Sequence, residues 1–120
     1  MENGKRNWVF CDGDLPPSGD AEPKGHEALM VTNLNGQDAR LTIDILFEDK
    51  PAVKGITATV GGERVRCFRL DMPIGERQYS IPRGQYSLVL HSDIPVVAVF
   101  GRLDVRQPNM AYYSVQGYSF

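Results

Sequence analysis

Apolar side chains recur along this chain with a period of two, and no twelve-residue window carries a convincing helical period. Eight prolines (Pro16, Pro17, Pro23, Pro51, Pro73, Pro82, Pro95 and Pro108) interrupt candidate helices, because each removes a backbone donor and clashes with the preceding turn. Leu41, Ile43, Ile45 and Phe47 alternate with Arg40, Thr42, Asp44 and Leu46, the pattern of a half-buried strand. Tyr86, Leu88 and Leu90 alternate in the same way with Ser87, Val89 and His91. Asp93-Ile94-Pro95 is expected to turn the chain into a further strand, Val96–Asp104. Other strands are expected at Arg6–Phe10, His26–Asn33, Gly55–Val60, Glu63–Leu70 and Ala111–Gly117. Asn33-Leu34-Asn35-Gly36 supplies a turn, and Gly61-Gly62 a two-residue hairpin. About eight short strands at this spacing predict an all-β fold, an antiparallel two-sheet β-sandwich or jelly roll.

Two local departures from the pattern carry information. Val96–Phe100 is apolar on both faces, whereas one face of a strand in a two-layer sandwich normally meets water. A second covering layer is implied, most simply a subunit interface. In Glu63–Leu70 the apolar phase slips between Cys67 and Phe68, as a β-bulge would cause. Residues 11–25, rich in Asp, Pro and Gly, read as a long loop, either functional or a mobile insertion.

At 120 residues the chain reads as a single domain, residues 1–120, large enough to bury a core. Its net charge of −2 argues against tight binding to nucleic acid or anionic membrane. The charge is unevenly placed, however. Seven of the nine arginines follow residue 60, so a locally positive face can form if folding gathers them. Cys11 and Cys67 lack any metal-binding spacing; we read them as reduced thiols, with a single disulfide as the alternative. No apolar run follows the first charged residues, so no signal peptide is expected. The run Ile94–Phe100 is too short to span a bilayer, and a cytoplasmic protein is expected.

Candidate chemistry centres on Arg102-Leu103-Asp104-Val105-Arg106-Gln107. In a strand, Arg102, Asp104 and Arg106 share a face, with Asp104 holding two guanidiniums whose spare donors point elsewhere. Such a strip can bind a polar ligand or lock two subunits. Arg64 and Arg66 share another face, onto which the bulge would bring Arg69. That cluster reads either as an anion or polyol site, or as a solvated face with ion pairs worth ~0–1 kcal/mol each. Trp8 reads as core, or as a platform on which a sugar ring stacks. His26-Glu27 are neighbours on a strand and point to opposite faces, which disfavours a joint acid–base role and leaves Glu27 as a ligand hydrogen-bonding residue. His26 and His91 have no spaced carboxylate or thiol partners, so no metal site is expected. There is no GxSxG and no glycine-rich phosphate loop.

Several separated segments coincide with a known pattern. Trp8-Val9-Phe10-Cys11-Asp12-Gly13-Asp14-Leu15-Pro16-Pro17, His26-Glu27, Asp49-Lys50-Pro51, Ser92-Asp93-Ile94-Pro95-Val96-Val97 and Arg102–Gln107 occur in this order. In this the chain resembles the sensory rhodopsin transducer family, whose namesake is the soluble partner of a cyanobacterial sensory rhodopsin. The resemblance implies a jelly-roll sandwich assembled as a homotetramer, and small-molecule, carbohydrate-type binding in most relatives. It carries His26, Glu27, Arg64, Arg69, Arg102, Asp104, Arg106 and Gln107 over as the polar positions of interest. The chain departs from the namesake at Cys11, where the namesake has proline, and at Val99-Phe100, where it has a Gln-His pair.

The reading that follows is a non-catalytic binding domain for a small polar ligand, a carbohydrate or sugar derivative. Its expected ligand residues are Trp8, Glu27, Arg64, Arg69, Arg102, Asp104, Arg106 and Gln107, with no cofactor. The alternative is a soluble signalling adaptor for a membrane sensory rhodopsin or another protein. A small carbohydrate-metabolising enzyme on the same scaffold is a third reading, disfavoured by the lack of an activated nucleophile or metal set.

Overall fold

The computed structural model describes residues 3–20, 22–106 and 111–120. Its elements are all strands: β1 (Lys5–Leu15), β2 (His26–Asn33), β3 (Ala39–Leu46), β4 (Val53–Val60), β5 (Arg64–Arg69), β6 (Gly84–Asp104), β7 (Ala111–Val115) and β8 (Tyr118–Ser119). Every pairing is antiparallel. One layer runs β4-β3-β6-β1-β8, and the other runs β5-β2-β6-β7.

Strand β6 belongs to both layers. Its first half, from Gly84 to Ser92, pairs with β1 and β3, and its second half, from Val97 to Asp104, pairs with β2 and β7. The expected turn at Asp93-Ile94-Pro95 is therefore a crossing point inside one 21-residue strand. The reason lies in the phase. Tyr86, Leu88, Leu90, Ser92, Val96, Ala98, Phe100 and Arg102 are buried and half-buried Ile94 packs against the core between them, so the inward phase of two runs through a position where a tight turn would have interrupted it. Pro95, which has no N–H to give, falls between the pairs of the two halves. Asp93 and Pro95 also serve as anchors: Asp93 Oδ1 accepts from Arg40 N at 2.8 Å, and the Pro95 carbonyl accepts from Asn35 Nδ2 at 2.8 Å.

Two connections expected to be ordinary turns also cross between layers. Strand β4 pairs with β3 and strand β5 with β2, so Gly61-Gly62 carries the chain from one sheet to the other and closes no hairpin. Asn33–Gly36 likewise leads from β2 in one layer to β3 in the other. Buried Asn33 holds both crossings. Its Nδ2 lies 2.8 Å from the Gln37 carbonyl and 3.2 Å from those of Val60 and Gly61, while its Oδ1 accepts from Asn35 N at 3.0 Å. A Cβ at Gly62 would stand 2.8 Å from the Gly36 backbone, so the two connections touch where no side chain fits.

The core fills the space between the layers with Phe10, Leu41, Ile43, Ile45, Ile56 and Leu88 from one sheet and Leu29, Val31, Phe68, Ala98 and Phe100 from the other. Burial of each large aliphatic side chain contributes roughly 1.5–3 kcal/mol. Trp8 is part of this core and stacks on Phe10, its Nε1 donating to the Lys5 carbonyl at 3.2 Å. Its buried ring offers no face to a sugar, which corrects the platform expectation. The bulge expected at Cys67-Phe68 is absent as well: β5 pairs with β2 without a register shift, and the apolar slip arises because outward-facing Val65 and Cys67 are apolar too.

A bulge does occur in β1, between Phe10 and Gly13. The segment 11–15, expected in a loop, thus extends the strand. The bulge shifts the inward phase from Trp8 and Phe10 to Gly13 and Leu15, and a Cβ at Gly13 would lie 2.6 Å from the Tyr86 ring. Gly13 has no positive φ, so a side chain there is opposed by packing alone. Gly13→Ala should lower stability by about 1–3 kcal/mol through overpacking. At Gly36 nothing lies within 4 Å of an added Cβ, and Gly36→Ala should stay within about 0.5 kcal/mol of the parent. Urea unfolding compares them; equal midpoints would mean that the Tyr86 ring does not need the gap.

Candidate functional site

The inner face of β2 reads Glu27, Leu29, Val31, Asn33, with all four buried. The two apolar residues sit in the core, and the two polar ones close its ends. At the Glu27 end the carboxylate is wholly enclosed. Its Oε1 accepts from Tyr86 Oη at 2.7 Å and its Oε2 from Arg102 Nε at 2.7 Å. The Asp14 backbone N–H approaches both oxygens, at 3.2 and 3.0 Å. Arg102 Nη2 donates to the Asp12 carbonyl at 2.9 Å, and the guanidinium lies 5.2 Å from the centre of the Tyr113 ring. The pair thus joins β1, β2, both ends of β6, and β7.

These contacts set the protonation states. Burial, with the neighbouring Glu27 charge and hydrogen bond, raises the Tyr86 pKa, so the phenol remains a donor. Burial works to lower the Arg102 pKa, but the Glu27 hydrogen bond and charge, with Tyr113 and Asp12, raise it above the ordinary arginine value. Arg102 therefore stays charged. Every strong acceptor position of Glu27 faces an internal donor, which makes it an architectural carboxylate.

The charged strip divides at its first residue. Arg102, Asp104 and Arg106 were expected on one face with Asp104 between two guanidiniums. Instead Arg102 turns inward to Glu27, and strand β6 ends at Asp104. Arg106 folds back, its N–H and its Nε donating to Asp104 Oδ1 at 2.9 and 3.0 Å. Those hydrogen bonds, with the Arg106 charge, pull the Asp104 carboxyl down to a pKa of about 2. Gln107 lies outside the described residues.

The basic cluster does not form as expected. With no bulge, Arg64 and Arg66 lie on the inner-face phase of β5 and Arg69 on the opposite one. Arg66 Nη1 donates to the Thr59 carbonyl at 2.8 Å and its guanidinium lies 4.7 Å from the Phe68 ring centre, while Arg64 Nη1 reaches the Gly62 and Glu63 carbonyls. Arg69 pairs with Asp71 through two bonds of 2.9 and 2.8 Å. The structure thus joins Glu27 to Arg102 and Asp104 to Arg106, and it leaves Trp8, Arg64 and Arg69 apart from both pairs.

A cleft lies elsewhere, on the outer side of the first sheet. It encloses about 480 Å³ and is lined by Cys11, Leu46, Phe47, Glu48, Gln85, Tyr86 and Ser87. Its wall is the β1 bulge, where the Cys11 carbonyl accepts from Ser87 Oγ at 3.1 Å. The opposite side is the turn after β3. A second hollow of about 210 Å³ shares Phe47, Glu48 and Gln85 with it and adds Lys50 and Arg83. Arg83 Nη2 donates to Ser18 Oγ at 2.7 Å, tying the loop after β1 to the start of β6. Cys11 and Cys67 are free thiols.

The cleft and Tyr86 escaped the sequence reading. Tyr86 alone left a signal: it falls on the buried phase of β6, and a buried phenol needs a partner, which the buried phase of β2 supplies as Glu27. Among the described residues, no group of three His, Cys, Asp or Glu side chains is placed to hold a metal ion, and no helix is long and apolar enough to cross a membrane.

Fold and closure together define a small antiparallel β-sandwich built on one shared strand and sealed by a buried carboxylate–guanidinium pair. The chain belongs to the Anabaena sensory rhodopsin transducer family, whose model matches residues 3–119. It is similar to the solved structure of Thermotoga maritima 1070, with 30% identity and a TM-score of 0.86 over 98% of this chain and 97% of that one. It is also similar to the Anabaena sensory rhodopsin transducer, with 28% identity and a TM-score of 0.70 over 82% of this chain and 94% of that one. No curated protein matches the sequence.

The two ion pairs should differ sharply in worth. Glu27→Gln keeps the shape but leaves the buried Arg102 side chain with only the exposed Asp12 carboxylate, 3.8 Å away, as counter-charge, and should cost roughly 3–5 kcal/mol. Asp104→Asn breaks an exposed pair and should cost about 1 kcal/mol or less. Denaturant unfolding of both variants measures the contrast. Equal losses would remove Glu27 as the group that closes the sandwich.

Proposed function

We propose that this transducer-family domain is a non-catalytic binding module whose ligand is a small polar molecule, a carbohydrate or sugar derivative, seated in the cleft beside the β1 bulge. The cleft itself carries this reading. Its volume of about 480 Å³ falls within the range of small-molecule sites. Leu46 and Phe47 supply apolar surface for the C–H side of a sugar ring. Glu48, Gln85 and Ser87 supply acceptors and donors of the kinds that neighbouring hydroxyls require. The hydroxyl and thiol at this cleft have no histidine beside them: His26 Nδ1 is bonded to the Lys24 carbonyl and His91 Nδ1 to Asn7 Oδ1. That supports binding over acyl transfer.

Calorimetric titration with monosaccharides, sugar acids and sugar phosphates tests the proposal. Gln85→Ala and Glu48→Ala should each weaken binding of a responding ligand by about 1–3 kcal/mol, the scale of a lost hydrogen bond within a site, without shifting the melting temperature. Unchanged affinity in both variants would take the ligand out of this cleft.

A specific observation favours protein association as a second reading, whether with further copies or with a membrane sensory rhodopsin. The outer face of the β5-β2-β6 layer presents Val65 and Val97, exposed by 66% and 42%, beside Cys67, Met30 and Val99. Apolar surface of this extent on a flat sheet is stabilised by being covered. Light scattering should give a mass near four protomers, and Val97→Lys should reduce it. A monomer at tens of micromolar would oppose the tetramer.

A further inference from the structure

We propose that the free edge of β5 is a docking site for an extended peptide segment of alternating acidic and apolar residues, which adds to the second sheet as another strand. Among the described residues, strand β5 pairs with β2 alone. The Leu70 N–H donates to the Glu27 carbonyl at 2.8 Å, which fixes the phase of that ladder. By antiparallel alternation Arg64, Arg66 and Phe68 spend their backbone groups on β2, and Val65 and Cys67 direct theirs to the open side. The edge of β4 is different: the Glu76 N–H covers it by donating to the Thr57 carbonyl at 2.9 Å.

The side chains along β5 define what can dock. Arg64 and Arg66 project from one face, and their guanidiniums donate to the Gly62, Glu63 and Thr59 backbone carbonyls. Among the described residues, neither is paired with a carboxylate, so both guanidiniums keep spare donors for one. The other face of the same strand carries exposed Val65 and Cys67. A strand with acids on one face and apolar residues on the other matches both. A hollow of about 160 Å³ beside the edge, lined in part by Arg66, Phe68, Met72 and Gln78, can take one of its side chains. Backbone pairing with flanking side-chain recognition is an established mode of peptide capture. A second copy of β5 fits poorly, because pairing two such edges sets arginines against arginines.

Fluorescence anisotropy with a labelled Glu-Val-Glu-Val-Glu-Val peptide tests the site on the full chain. Saturable binding is expected, weakened at least tenfold by the Arg64→Glu/Arg66→Glu pair. The same loss is expected when the peptide is N-methylated on the amides that face β5, a change that leaves the protein intact. Amide resonances of Val65 and Cys67 should shift on titration. The proposal is overturned by any of three results: no saturation at millimolar peptide, equal binding of the methylated peptide, or concentration-dependent protection of the Val65 and Cys67 amides without peptide, which would assign the edge to a second copy.

Discussion

The Glu27 carboxylate is the interaction on which the rest of this sandwich depends. Placing an unpaired carboxylate in a protein interior costs several kcal/mol, and here the cost is offset because four contacts converge on it. Those contacts come from Asp14 in β1 and from Tyr86 and Arg102 at opposite ends of β6. One side chain on β2 therefore fixes where the shared strand begins, where it ends, and how far β1 extends past its bulge. Gly13 is part of the same arrangement, since only a residue without a Cβ lets the Tyr86 ring lie where its hydroxyl reaches Glu27. Asn33 does the corresponding work at the other end through backbone carbonyls. A neutral amide suffices there, because its task is to join two crossing connections.

This arrangement separates the residues that look chemical from the surfaces open to a ligand. Glu27 and Arg102 are among the most reactive-looking side chains in the sequence, yet their polar atoms are directed at each other, at the Tyr86 hydroxyl and at the backbone. What remains accessible is made by irregularities in the sheets. The β1 bulge and the turn after β3 shape the cleft, and the crossing of the chain from β4 to β5 leaves β5 as an edge. Under the proposed reading as a recognition domain, the cleft, the apolar sheet face and the open edge are its surfaces, and the last two share Val65 and Cys67.

Much of the fold was legible because strand patterning is local. His26–Asn33 is read with its observed limits, and the alternations around Leu41–Ile45 and Leu88–Leu90 identify their buried faces directly. The single long β6 was also legible in principle, since the even-numbered phase continues from Tyr86 to Arg102. A proline beside an aspartate suggested a turn, and that local signal outweighed the longer one. The Cys67-Phe68 phase slip failed for a different reason. Apolar residues on an outward face look the same in sequence as a shift of register.

The sequence by itself determined that this chain forms antiparallel strands, which faces of them are apolar, and that it belongs with the transducer family. Alternation and short motifs survive in one dimension, so those properties needed no partner to be seen. Tertiary structure alone decided that Gly61-Gly62 links two sheets, that Arg102 answers to Glu27 and not to Asp104, and that the cleft forms at Cys11, Phe47 and Gln85. Each depends on which strands pair. Strand pairing is settled by packing between residues such as Glu27 and Arg102, 75 positions apart, where no local pattern records the choice.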